Sequence, residues 1–137
     1  MSFSRMKVKL KKYFFSDTLK AYFLNEVNMD RSAAHEKLVD ALLVALSKAG
    51  DCRVWRQPTG AAYRDGKLVR YGVLGSADIS GIMRNGKRLE IEVKTGRGVQ
   101  TERQKAFQSV IANFGGLYLV ARDVESVVNL VKSAANV

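Results

Sequence analysis

The sequence predicts an α/β domain with a mixed central sheet flanked by helices. Three observations carry that expectation: an Asn85-Gly86 turn between two apolar runs, helical spacing before and after that pair, and a short buried-type strand at residues 117–121. At 137 residues the chain can build one compact domain but not two ordinary ones. The expected division is a basic, aromatic-rich N-terminal arm over 1–29 and the α/β domain over 30–137.

Residues 1–29 mix charge with Phe3, Tyr13, Phe14, Phe15, Tyr22 and Phe23 and follow no single period, which is why they are set apart as an appendage. From there the pattern sharpens. Asp30 or Ser32 can cap a helix whose apolar positions Leu38, Leu42, Ala45 and Leu46 keep helical spacing until Gly50 stops it. Residues 52–57 read as a strand closed by Pro58-Thr59-Gly60, and 62–71 as a small hairpin with a type I′ turn at Asp65-Gly66. The runs 78–83 and 88–94 flank Asn85-Gly86 as a second hairpin. In its second arm, alternation sends Leu89, Ile91 and Val93 to one face and Glu90, Glu92 and Lys94 to the other. A helix then begins near Thr101 with Phe107, Val110, Ile111 and Phe114 on one stripe, and Gly115-Gly116 ends it. After the strand at 117–121, Asp123 can cap a final helix with Val127, Leu130 and Val131 inward.

Composition narrows the chemistry. Cys52 is the sole cysteine and His35 the sole histidine, so an internal disulfide, a four-cysteine zinc site and any two-histidine metal centre cannot be built. Carboxylates, lysine and a hard cation remain as catalytic material. Lys and Arg number 23 against 13 Asp and Glu, a net charge of +10, and a field of that sign favours a polyanion, inside a cell most often nucleic acid. No apolar run reaches membrane-spanning length and no long basic amphipathic helix is evident, so no membrane partner is expected. The first residues lack the pattern of a secretory signal, which makes the cytoplasm the expected compartment.

Phosphodiester hydrolysis needs an attacking water, neutralisation of the phosphate oxygens and help for the leaving oxygen, and a carboxylate-held cation supplies much of this. Glu92 and Lys94, next-but-one neighbours on a strand, point the same way about 6 to 7 Å apart. Asp78, in the partner strand, can reach the same cation, and the Val93 carbonyl offers a neutral oxygen ligand. Lys94 would then orient or help deprotonate the water, or stabilise charge on the phosphate. Glu90 competes on the same face, and reads as a solvated or supporting acid.

Asp78 followed by Glu92-Val93-Lys94, in a helix-hairpin-helix-strand order, resembles the PD-(D/E)XK nuclease superfamily with its restriction-endonuclease-like core. More narrowly, Gly75-Ser-Ala-Asp78-Ile-Ser-Gly81, Ile91-Glu-Val-Lys-Thr95, Gln104 and Gly116-Leu-Tyr-Leu-Val-Ala-Arg122 are similar to the VRR-NUC family over residues 30–137. Ala77 stands where the proline that names the superfamily would be. Short stand-alone members of the family resemble phage Holliday-junction resolvases. The resemblance implies a Mg²⁺- or Mn²⁺-dependent DNA endonuclease, acting as a homodimer on branched or junction DNA and, if phage-encoded, in the host cytoplasm. It makes Asp78 and Glu92 metal ligands with the Val93 carbonyl, Lys94 the catalytic lysine, Gln104 an accessory residue, and Glu36 the acid of the first helix and a further candidate ligand. Lys7, Lys9, Lys11 and Lys12 of the arm, with Arg97 and Arg103, are the candidate DNA contacts. A flap or duplex nuclease of the same superfamily and a non-catalytic nucleic-acid-binding module are the alternatives.

Some of these residues have structural readings too. Glu36 sits at the edge of the buried stripe near the expected helix start, where an acid is favoured by the helix dipole alone. Thr101-x-x-Gln104 is a capping box, a role compatible with a catalytic one. His35 reads as an exposed or partly packed helix residue. Trp55, Tyr63 and Tyr71 read as packing residues, with stacking on unpaired bases as the alternative.

Overall fold

The computed structural model describes the backbone from Asp17 onward and the side chains from Ser32 to Val137. Lys7, Lys9, Lys11 and Lys12 lie outside the described residues. The chain divides into two units, Met1–Ala33 and Ala34–Val137. The described part of the first is helical, and the second is an α/β unit with a mixed sheet of four strands flanked by helices.

Helix α1 covers Asp17–Ala49, so neither Asp30 nor Ser32 caps it as the sequence suggested. Both residues sit within the helix because nothing after Asp17 breaks it: the segment has no proline or glycine before Gly50. At Gly50 the backbone turns to φ +75° and the helix stops as expected. Among its described side chains Val39, Leu42 and Leu46 are buried, a stripe rotated slightly from the expected one, with Leu38 and Leu43 packed at its edges.

Strands β1 (Cys52–Arg56), β2 (Gly60–Arg64), β3 (Lys67–Tyr71), β4 (Ile79–Met83), β5 (Arg88–Val93) and β6 (Leu117–Ala121) follow, with α2 (Glu102–Asn113) before β6 and α3 (Val124–Ala135) after it. The central sheet runs β1-β4-β5-β6; β1, β4 and β5 are antiparallel, and β5 pairs with β6 in parallel across the α2 connection. Strands β2 and β3 form a separate two-stranded sheet. Its turn has positive φ at both Asp65 (51°) and Gly66 (73°), the signature of the expected type I′ geometry.

Turn hydrogen bonds show how Asn85-Gly86 works. Gly86 N–H donates to the Met83 carbonyl at 2.9 Å and Met83 N–H to the Lys87 carbonyl at 2.9 Å, a three-residue loop. The Asn85 side chain accepts from Lys87 N–H at 3.1 Å and donates to the Ala134 carbonyl at 2.9 Å, tying the hairpin to the end of α3.

Register divides the sheet into two faces. Val54, Ile79, Leu89, Ile91, Val93 and Ala121 share a core with Val39, Leu42 and Leu46 of α1 and with Val127, Val131 and Ala135 of α3. The opposite face carries Trp55, Ser80, Glu90 and Tyr118 in one cross-strand row, and Phe107 of α2 meets Tyr118 edge-on with ring centroids 6.3 Å apart.

Two expected stripes need correction. Val110 and Phe114 are exposed, Phe114 at 89%, because α2 turns Gln104 and Phe107 toward the sheet and has no fully buried residue. In α3, Val127, Val131 and Ala135 form the buried line, which leaves Leu130 half exposed at its flank. The capping expectations for α2 and α3 are met: Asp123 accepts from Ser126 N–H at 2.8 Å, and Thr101 and Gln104 form the reciprocal capping box.

Candidate functional site

Asp78 immediately precedes β4, and Glu92 lies one residue before the end of β5. Register pairs Ile79 with Ile91, so one further step sets Asp78 opposite Glu92. Two features of the chain place Asp78 there. Gly75 has φ +80° and lies against the Arg103 backbone, where a side chain would collide, so the 75–78 run passes close under the start of α2. The Asp78 carboxylate then accepts from Val93 N–H at 2.8 Å, which fastens it to β5.

Glu92 is only 4% exposed. Its Oε1 accepts from Gln104 Nε2 at 2.9 Å and lies 3.5 Å from Lys94 Nζ. Gln104 serves two roles with one side chain: its Oε1 accepts from Thr101 N–H at 2.9 Å to close the cap, while its amide nitrogen reaches Glu92. Burial first, and then the nearby Asp78 carboxylate, push Glu92 up to about 7, against the opposing pull of Lys94. Two carboxylates thus face each other in a sheltered place, with one ammonium group beside them.

The other predicted residues divide. Glu36 is not gathered with Asp78 and Glu92: its Oε2 accepts from Arg56 Nη1 at 2.7 Å, and Asp40 takes Nη2 of the same guanidinium at 2.6 Å. Nor is Glu36 near a helix start, since α1 begins at Asp17. Its neighbour His35 reaches the site instead, with Nε2 3.2 Å from Asp78 Oδ2 and Nδ1 3.6 Å from Glu36 Oε1. The signal for His35 lay in the helical line His35, Val39, Leu42, Leu46, which is the buried stripe. Arg97 and Arg103 are exposed around the loop that follows Lys94. Arg122 steadies that loop by donating to the carbonyls of Gly96 at 3.3 Å and Gly98 at 2.7 Å.

Glu90 is not a solvated acid. It is 0% exposed and accepts from Ser80 Oγ at 2.9 and 3.1 Å and from Arg88 Nε at 2.6 Å. Alternation placed it correctly opposite Leu89 and Ile91, but β5 is an inner strand covered on both faces, so the polar side is buried too. Tyr118, which sequence reasoning passed over, has a buried hydroxyl with no hydrogen-bond partner among the described residues. Burial above all, opposed by the Gln100 side chain and reinforced by the Glu92, Asp78 and Glu90 carboxylates, pushes that hydroxyl up to about 12, so it keeps its proton.

The donor chemistry suits a hard cation. Carboxylate oxygens are what Mg²⁺ or Mn²⁺ takes, and two acids held close together repel unless a proton or a cation comes between them. Among the described residues no group of three His, Cys, Asp or Glu side chains is assembled as a ready cage, so Asp78 and Glu92 would supply the acidic ligands. Such a set leaves much of an octahedral shell to water and substrate oxygens.

No protein-family model matches the chain, and no curated protein matches it.

Proposed function

We propose that this protein is a divalent-metal-dependent endodeoxyribonuclease, acting on branched DNA in the manner of a Holliday-junction resolvase and working as a homodimer. The observation that carries the reading is the pairing of Asp78 with a buried Glu92 that also holds Gln104 and Lys94. The net charge of +10 supports a polyanionic substrate, and the resemblance to VRR-NUC nucleases supports the reaction class.

Asp78 and Glu92, with the Val93 carbonyl, would hold Mg²⁺ or Mn²⁺, which when bound supplies Lewis-acid neutralisation of the phosphate. The chain's own contribution is positioning. Val93 N–H and His35 fix the Asp78 carboxylate from two sides, and Gln104 fixes that of Glu92. Lys94, its side chain 16% exposed, can donate to a non-bridging phosphate oxygen or hold the attacking water for in-line approach. Two copies related by a two-fold axis would present two such sites to a two-fold junction, which paired cuts require.

The test is cleavage of end-labelled four-way junction, flap, linear duplex and single-stranded DNA in Mg²⁺, Mn²⁺ or EDTA. Paired symmetric nicks on the junction are expected, lost in EDTA and reduced by about 10³-fold or more in Asp78→Asn or Lys94→Ala, with DNA binding largely kept. Cation-dependent cutting of flaps or linear DNA alone would retain the site and replace the substrate. Binding without cutting on any substrate would overturn the nuclease reading.

A further inference from the structure

The sheet face that carries Glu92 is only partly covered. Phe107 and Gln104 of α2 lie over β5 and β6, while among the described residues nothing covers the β1–β4 half, with Arg53, Trp55 and Ile82 exposed on it. A shallow cleft of about 190 Å³ lies there, lined by Trp55, Gly81, Ile82, Gly86 and Arg88. Register explains the grouping, since Ile82 pairs with both Arg53 and Arg88, and Trp55 pairs with Ser80 in the adjacent row.

The cleft has a built cation. Arg88 donates through Nε to Glu90 at 2.6 Å, and Glu90, fully buried, is held in turn by Ser80. A carboxylate taken wholly out of water is costly unless firmly paired, and here the pairing aims an exposed guanidinium along the rim of the cleft. Beside it stands a tryptophan that is 43% exposed, an indole face with an isoleucine next to it. The cleft lining contains no acid, and the nearest carboxylate, Glu90, is buried and engaged. An exposed aromatic side chain and an arginine lining one cleft match a nucleotide with its base unstacked: the base lies on the indole and the phosphate meets the guanidinium.

We propose that this open half of the sheet is a subsite for an unpaired nucleotide, its base stacked on Trp55 and its phosphate held by Arg88. The proposal rests on the nuclease reading for its purpose. Arg88, Glu90 and Glu92 alternate along one face of β5, so the subsite lies about 13 Å from Glu92. That spacing corresponds to a few nucleotides of backbone from the phosphate under attack. The protein would thereby select DNA that offers unpaired bases beside the cut, as flaps and locally opened branch points do and continuous duplex does not.

Trp55 is the chain's only tryptophan, so its emission reports on this cleft alone. The experiment titrates the full chain, in EDTA so that no cleavage occurs, with a twenty-nucleotide oligothymidylate and with a blunt duplex of the same length. Binding is followed in parallel by the anisotropy of a label on the DNA. Stacking predicts strong quenching of Trp55 by the single strand and little by the duplex. Trp55→Ala should weaken single-strand binding about 5- to 100-fold, Trp55→Phe by much less, and neither should change duplex affinity comparably. Arg88→Lys, which keeps a charge to pair with Glu90, should weaken single-strand binding less than Trp55→Ala. Single-strand binding without a change in Trp55 emission would overturn the proposal, as would equal losses on both DNAs in Trp55→Ala. Self-association that buries Trp55 before DNA is added would overturn it in favour of a second copy of the chain. Because the measurement is made without a divalent cation, its failure leaves the cleavage assay readable, and a failed cleavage assay leaves this one readable.

Discussion

The two hairpins of this protein start from similar local instructions and end in opposite environments. Both have an Asx-Gly turn between strands of comparable length. In β4–β5 almost every residue is buried, whereas in β2–β3 every residue is exposed, Tyr63 at 79%. Turn chemistry therefore decides that a hairpin forms, and neighbours decide what it is worth. Strand β4 is flanked by β1 and β5, and β5 by β4 and β6, with helices over one face of both and α2 over the other face of β5, so their side chains specify the core and the site. Among the described residues the β2–β3 ribbon has no third strand and shows both faces to solvent, an arrangement that is marginal by itself.

The contrast can be broken most forcefully by truncating one apolar residue in each hairpin. Ile91→Ala removes a fully buried side chain from the core and should cost about 2–5 kcal/mol, read as the urea midpoint of unfolding. Leu68→Ala, on the exposed ribbon, should stay within about 0.5 kcal/mol. A loss at Leu68 equal to that at Ile91 would mean that the ribbon is covered in solution.

A smaller effect separates the two roles of Gln104. Gln104→Ala should lower cleavage about 10- to 100-fold by releasing Glu92, as supporting contacts to ligating groups commonly do. Thr101→Ala weakens the same cap, at about 1 kcal/mol of stability, while keeping the Gln104–Glu92 bond, and should leave cleavage nearly intact. Equal activity losses in the two variants would reduce Gln104 to a capping residue.

The smallest expected effect is in the pH dependence of stability. Glu92 titrates near 7 in the folded chain and ordinarily near 4.5, so the folded state binds the extra proton between those values. Its ionised form is the unfavourable one, and stability should fall as the pH rises from about 4.5 through about 7. In EDTA, Glu92→Gln should therefore raise the melting temperature more at pH 8 than at pH 5. A pH-independent difference would show that Asp78 and burial do not act on Glu92 as inferred.

Several features were legible in the sequence because their causes are local. Gly50, the Asp65-Gly66 turn, Thr101 with Gln104, and Asp123 each act on backbone groups within a few residues, and each is found in its expected role. The Asp78, Glu92 and Lys94 constellation follows from hairpin register and strand alternation, which are equally short-range. Where two helical lines compete, the sequence offers both and does not rank them. Glu36 and His35 are adjacent, and a modest rotation of α1 puts His35 on Asp78 and leaves Glu36 to Arg56. The same holds for α2, where Gln104 inward means Val110 and Phe114 outward.

Sequence by itself determined the element order, the turns and caps, and which acids and lysine share the β4–β5 hairpin, because those depend on dihedral preference and on side-chain period. Tertiary structure decided the rest: that Glu90 is buried and braces Arg88, that Trp55 is exposed, and that Glu92 sits in a place that disfavours its ionised form. Those outcomes depend on which surfaces are covered by elements distant in the chain, and the removal of water by a distant neighbour leaves no mark on local residue order.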